Sequence, residues 1–214
     1  MENNINDFTK EKTVKIGCVI MASGLGKRFG GNKLMADLGG KPMIQWVLDV
    51  TDTIFYDRIV VTRNDEVKML CEKQNIKVIR HEYPGRNDTV RLGLENMPDD
   101  IDGCMFFPGD QPLIKKESVM NMIENVMEDP ERIYRLCHSD IQGMPVYFPS
   151  RFFEELKALP EGKGGGVVIR KHEEELMLVK ISDAFELMDI DTKYDYNKVI
   201  KILGDDRLYE GGNV

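Results

Sequence analysis

Two sets of residues in this chain carry groups that could do chemistry. The first is a glycine-rich stretch, Gly24, Gly26, Gly30 and Gly31, with Lys27, Arg28 and Lys33 set among and just after the glycines. Glycine lets the backbone take positive φ and turn its N–H groups toward an anion with no Cβ in the way. The three positive charges supply the counter-charge that a triphosphate needs, and Arg28 can grip an oxyanion with both arms of its fork. The second is acidic: Asp110, just after an apolar run. A carboxylate beside a triphosphate repels it unless a cation intervenes, and Mg²⁺ takes carboxylate and phosphate oxygens together. The combination reads as a triphosphate cradle with a magnesium site. Taken alone, the glycines would serve equally as a tight turn after a strand.

Such residues must be brought to one place. The run Ile16 to Ala22 is too short for a helix and apolar throughout, as a central parallel strand covered on both faces would be. It feeds the glycine stretch directly. That stretch is not a P-loop, because Gly26-Lys27 is followed by Arg28 and not by Ser or Thr. Nor is it a dinucleotide fingerprint, since Phe29 stands where a glycine is needed and Asp49 falls in a helical pattern.

Downstream, Met43, Ile44, Val47, Leu48 and Val50 recur at helical spacing after Pro42, and Arg58 to Thr62 reads as a strand. Asn64 caps a helix running to about Gln74, and Ile76 to Arg80 is a third strand. This βαβαβ order predicts an α/β fold, a doubly wound, mostly parallel sheet with helices on both faces, in a single domain over 14–204. Residues 1–13 read as a disordered tail and 205–214 as a C-terminal tail.

Within that frame the loop His81 to Asp88 enters a helix around Thr89 to Asn96, a helix N-terminus suited to anions or a base edge. Gly93 on that helix is equally explained as a close packing contact. Cys104 to Phe107 is a buried strand that stops at Pro108-Gly109-Asp110-Gln111-Pro112. Ligands of open α/β sheets lie at the carboxyl ends of strands, so Asp110 should face the same crevice as the glycine stretch. Lys115 to Glu128 is an amphipathic helix, Ile133 to Cys137 and Leu176 to Ile181 are strands, and Lys193 to Leu203 is a last helix. In Asp189-Ile190-Asp191-Thr192, alternation aims both aspartates to one side. Thr192 is also a candidate N-cap, which would give Asp191 a structural role instead.

Composition bounds the rest. A net charge of −8 over 214 residues excludes non-specific nucleic-acid binding as a guiding idea. No stretch approaches the ~20 apolar residues needed to cross a bilayer, and the polar start is no signal peptide. Four widely spaced cysteines, Cys18, Cys71, Cys104 and Cys137, fit buried free thiols and a reducing cytoplasm. The 13 methionines mostly fall on core faces.

The segment Ala22-Ser23-Gly24-Leu25-Gly26-Lys27-Arg28-Phe29-Gly30, then Lys33, then Gly40-Lys41-Pro42-Met43-Ile44 resembles the signature of the MobA-like NTP transferases. The resemblance implies a Rossmann-like nucleotidyltransferase fold in which Arg28 and Lys33 meet the triphosphate and the departing pyrophosphate. It places the nucleotide along Ala22, Ser23, Gly24 and Gly26, with base and ribose near Gly85, Thr89 and Gly93. Asp110 would hold Mg²⁺ with a second acid from the D-I-D-T-x-x-D motif, Asp189 or Asp191. Gly-Asp-Gln-Pro at Gly109 to Pro112 and Gly143-Met144-Pro145-Val146-Tyr147-Phe148 resemble the molybdenum cofactor cytidylyltransferase branch. That branch implies CTP and a molybdopterin-type acceptor near Gln111, Gly143 and Pro145, with a molybdenum hydroxylase as candidate recipient of the product. Met144, Lys163 and Gly166 depart from the branch pattern. A guanylyltransferase, a sugar-phosphate nucleotidyltransferase and a non-catalytic pterin-delivery protein therefore stand as alternatives.

Overall fold

Short apolar runs alternating with amphipathic segments must stack in layers to bury their apolar sides. The computed structural model of the chain describes residues 13–210, with side chains described to residue 204. Strands β1 (Ile16–Ala22), β2 (Asp57–Thr62), β3 (Lys77–Arg80) and β4 (Gly103–Pro108) pair in parallel. β6 (Ile141–Pro149) runs antiparallel to β4 and to β5 (Ile133–His138), and β7 (Leu176–Lys180) lies parallel to β5. The seven strands form one sheet in the order β3-β2-β1-β4-β6-β5-β7. Only Ser139 and Asp140 separate β5 from β6, and so short a connection can join strands only as an antiparallel hairpin. Ser139 takes φ 51° to make it.

The unbroken apolar run of β1 has the reason expected of it. Cys18 and Ile20 are fully buried against α1 (Met43–Val50), α2 (Asp65–Lys73) and α4 (Lys116–Glu128). Val19, between them, faces the opposite core under α3 (Arg86–Glu95), α5 (Phe153–Lys157) and α6 (Gly166–Lys171). Each such side chain contributes roughly 1.5–3 kcal/mol of burial, so register here is strongly held. A third, smaller core joins Phe29, Leu38 and Met43 to Ile190 and to Val199 and Leu203 of the last helix, α7 (Lys193–Glu210). It bolts the glycine-rich loop to the C-terminal helix, with Phe29 edge-on to Tyr196 at 5.7 Å between ring centroids.

The doubly wound, mostly parallel α/β sheet is therefore as expected, and the four cysteines are buried and free. Several boundaries moved. α3 opens at Arg86 and not near Thr89, and α7 continues past Leu203 to Glu210. Of the expected tails, residues 1–12 and 211–214 lie outside the described residues. The short helix α6 was not anticipated, because three glycines precede it. Among the described residues no helix is long and apolar enough to cross a membrane.

Candidate active site

β1 delivers the glycine-rich loop at its carboxyl end. Ala22 itself is buried at the end of the strand, and its carbonyl accepts the Thr62 hydroxyl at 2.9 Å. Gly26 is required by geometry: its φ is +60°, and a Cβ there would lie 2.1 Å from the Gly31 carbonyl oxygen. The amides of Phe29 and Gly30 both donate to the Gly26 carbonyl, at 2.9 and 3.0 Å. Both N–H groups therefore close the loop, and for Gly30 this replaces the expectation that its amide would face an anion. Gly24 has an ordinary φ and open space where a Cβ would sit; it leaves room for a ligand and bends nothing.

Of the charges that the sequence singled out, Lys33, Arg28, Asp110 and Asp191 converge into one knot, while Lys27 is exposed and stands outside it. Lys33, only 6% exposed, donates from Nζ to Asp110 Oδ2 at 2.5 Å, to the Ile190 carbonyl at 2.8 Å and to Asp191 Oδ1 at 2.9 Å. Arg28 Nη2 reaches the other Asp191 oxygen at 2.6 Å. The Ile190 amide donates to the Asp110 carbonyl at 2.9 Å, tying the segment after β4 to the segment before α7. Burial pulls the Lys33 ammonium down, but Asp110 and Asp191 beside it prevail and hold its pKa above the ordinary lysine value. The Lys33 hydrogen bond, followed by the nearby charges of Lys33 and Arg28, holds the Asp191 carboxyl below the usual range. Asp189 is pushed up to about 6, first by burial and then by the charges of Asp110 and Asp191. Three carboxylates thus crowd one locus with a lysine among them.

The capping question is resolved by Asp195. Its Oδ2 accepts from the amide and hydroxyl of Thr192 at 2.8 and 2.7 Å, and the Asp195 amide donates back to Thr192 Oγ1 at 3.2 Å. Thr192 is therefore the N-cap of α7, which leaves the Asp191 carboxylate for Lys33 and Arg28. Among the described residues no three His, Cys, Asp or Glu side chains form a ready-made metal cage. Mg²⁺ does not need one, since it takes one or two carboxylates with substrate phosphates and water. The hard oxygens of Asp110 with Asp189 or Asp191 fit that donor set, and Lys33 now occupies the space between two of them.

Beside the knot opens a cleft of about 660 Å³. The side nearest the knot is lined by Ser23, Gly24, Arg28, Arg63, Gly85, Arg86, Thr89, Asp110, Asp189 and Asp191. Ser23 Oγ is held by the Val61 carbonyl at 3.2 Å and by His81 Nε2 at 2.8 Å. Gly85 is the N-cap of α3 and its amide donates to Asp88 Oδ2 at 3.1 Å. Gly93 is not in the cleft: a Cβ there would lie 2.7 Å from both γ-methyls of Val19, so its role is to let α3 lie on β1.

Three acceptor-side expectations are corrected, two by strand alternation and one by burial. Gly143 and Pro145 do not line the cleft; Met144, Val146 and Phe148 do. Successive residues of a strand point to opposite faces, and Gly143 faces away, with a Cβ there only 2.7 Å from Leu187. Gln111 is 2% exposed, and its buried Oε1 has no partner among the described residues. It sits behind the site and not on the cleft wall. Sequence reasoning missed Arg63 and Arg135. Arg63 directly follows β2 at a strand's carboxyl end, a signal that was available; its Nε donates to the Ser23 carbonyl at 2.8 Å. Arg135 was visible only as a charge inside an apolar strand.

The family model described as the MobA-like NTP transferase domain matches residues 18–176. A 3-deoxy-manno-octulosonate cytidylyltransferase of Francisella philomiragia subsp. philomiragia is 31% identical over 142 residues, 64% of this chain and 56% of that protein. A probable molybdenum cofactor guanylyltransferase of Aquifex aeolicus is 28% identical over 111 residues, 52% of this chain and 54% of that one. The chain spans about half the length of these curated relatives. Rv0371c of Mycobacterium tuberculosis H37Rv shares the fold, with a TM-score of 0.77 over 88% of this chain and 98% of that chain at 20% identity. It has also been solved in complex with manganese, at a TM-score of 0.72 and the same identity, over 88% of this chain and 99% of that chain.

Proposed function

Because this chain belongs to the MobA-like NTP transferase family, we propose that it transfers CMP from CTP to a molybdopterin-type cofactor with release of pyrophosphate. One observation carries the reading: the buried Lys33 ammonium, fixed between Asp110 and Asp191 beside the glycine-rich loop, with Arg28 on the same aspartate. A terminal phosphate oxygen of the acceptor forms the new bond to the α-phosphorus of CTP. The bond from that phosphorus to the bridging oxygen breaks, and its electron pair leaves with pyrophosphate. The attacking group is already anionic, so no covalent enzyme intermediate is needed, and the protein's part is positioning and charge stabilisation.

Lys33 and Arg28 stabilise the leaving pyrophosphate, moving from the aspartates to the phosphates as the nucleotide enters. Asp110 with Asp189 or Asp191 would hold Mg²⁺, which when bound neutralises charge at the reacting phosphorus. Ser23, Gly24, Gly85 and Thr89 accommodate the nucleoside. The acceptor lies over Met144, Val146 and Phe148, and the apolar character of that wall favours a flat heteroaromatic body over a sugar. A sugar-type acceptor is the second reading, favoured by the 31% identity to the octulosonate cytidylyltransferase. We place the protein in the cytoplasm, where its four free thiols would stay reduced, handing its product to a molybdenum hydroxylase.

The test is pyrophosphate release by the purified protein with a molybdopterin-type acceptor and Mg²⁺, comparing CTP, GTP, ATP and UTP. Release with CTP is the expected result. Release with GTP instead would move the reading to guanylyl transfer. Nucleotide binding with no release from any of the four would overturn catalysis on this acceptor and favour a sugar acceptor or a delivery role.

A further inference from the structure

The cations of the cleft are not alike. Arg28 is paired with Asp191, while Arg86, Lys163 and Arg170 are exposed and solvated. Arg135 is half-buried on β5, among apolar neighbours. It is the direct cross-strand partner of Val146, which in turn pairs with Phe106 of β4. Phe106, Val146 and Arg135 thus form one row across three strands, all three lining the cleft. Arg135 therefore lies two strand spacings, roughly 10 Å, to the side of the strand that delivers Asp110.

Its guanidinium is aimed and only partly used. Nε donates to the Gly143 carbonyl at 3.0 Å and Nη1 to Gln142 Oε1 at 3.2 Å. Nη2 has no partner among the described residues, and no carboxylate pairs with the group. Burial alone draws its pKa below the ordinary arginine value; no acid pulls the other way. A desolvated cation without a counter-ion is costly, and arginine presents a rigid fork suited to an oxyanion. Around it the walls are Met144, Val146 and Phe148. Across the cleft lies the Gly162 to Gly166 loop, tethered by the Gly162 amide to Asn87 Oδ1 at 2.9 Å. Gly165 lies so close over Phe148 that a Cβ would come within 2.9 Å of its ring.

We propose that Arg135 is a specificity-determining residue that binds an oxyanion at the far end of the acceptor, remote from the phosphate that attacks the nucleotide. The acceptor is then anionic at both ends of a flat apolar body: one end reacts at the Asp110 knot and the other is held by Arg135. This deepens the function proposed above and rests on the assignment of this half of the cleft to the acceptor. The far group is a carboxylate or a second phosphate; both offer the fork the same oxygens.

The test is calorimetric binding to protein saturated with CTP, so that the triphosphate-side cations are occupied. The probes are 2-naphthoate against 2-naphthamide, and pterin-6-carboxylate against 6-hydroxymethylpterin; naphthyl phosphate separates phosphate from carboxylate. Wild-type protein should bind each anion about tenfold tighter than its neutral counterpart, the weight of one charge-assisted hydrogen bond. Arg135→Gln should bring that preference below about twofold, and Arg135→Lys, which keeps the charge, should retain part of it, with CTP affinity unchanged in both. No naphthoate preference in wild type, or one that survives Arg135→Gln, overturns the proposal. A naphthoate preference that depends on Arg135, with neither pterin bound, would keep the oxyanion subsite and sink the pterin reading. Pterins bound without regard to the carboxylate would do the reverse.

Discussion

The two halves of the cleft are built on opposite principles. The half proposed for the nucleotide stands on parallel strands, and its central charges satisfy one another: Lys33 on Asp110 and Asp191, and Arg28 on Asp191. The half proposed for the acceptor stands on the antiparallel β6 and on β5, presents Met144, Val146 and Phe148, and carries one half-buried guanidinium with no acid beside it. An interlocked knot is stable before substrate arrives, and under the proposed function it exchanges partners when the nucleotide enters. An apolar wall with an unpaired cation is selective instead, because only a ligand of matching charge and shape compensates the desolvation. Substitutions in the first half should therefore depress turnover on every acceptor, and those in the second should discriminate among acceptors.

The largest expected effect is that of Asp110→Asn. Pyrophosphate release should fall by about 10³-fold or more with every acceptor, while circular dichroism still shows the native fold; retained turnover would remove Asp110 from the metal site. Lys33→Met should cost about 10²-fold in kcat, and it should also lower stability by about 1–3 kcal/mol. That figure is less than a fully buried pair would cost, because Asp110 and Asp191 are 23% and 37% exposed. A variant that melts like wild type would mean that the knot is not structural.

Gly26→Ala should disturb the loop through its positive φ and the Gly31 carbonyl, costing about 1–3 kcal/mol and weakening CTP in a titration. Gly24→Ala should leave the melting temperature unchanged and affect CTP alone. Equal melting temperatures for the two would contradict the geometry. Met144→Ala should raise the acceptor KM about tenfold with the CTP KM unchanged; a parallel rise in both would dissolve the distinction between the halves. The smallest functional effect belongs to Gly93→Ala, which should cost about 1–3 kcal/mol of stability through its collision with Val19, with both KM values as in wild type.

Legibility in the sequence followed how local each signal was. β1 and the loop after it were readable because a strand buried on both faces has no polar alternation and glycines cluster where the backbone must turn. Asp110 was readable from its place after β4, since strand ends determine where ligands gather. Gly143 and Pro145 misled because a one-residue shift along a strand exchanges the two faces, and only the packing of Leu187 against Gly143 shows which face is which. The Gly30 amide misled because a glycine-rich loop can spend its N–H groups on its own closure.

By itself the sequence determined the α/β layering, the strand that carries the glycine-rich loop, and the residue types of the charged set, since periodicity and local backbone freedom are properties of neighbours in the chain. Only the tertiary structure decided that Lys33 lies between Asp110 and Asp191, that Thr192 and Asp195 cap α7 and leave the Asp191 carboxylate available, and that Arg135 faces the cleft without an acid. Those are relations between segments up to 158 positions apart, and what decides them is which face each strand turns inward and which charges burial leaves together.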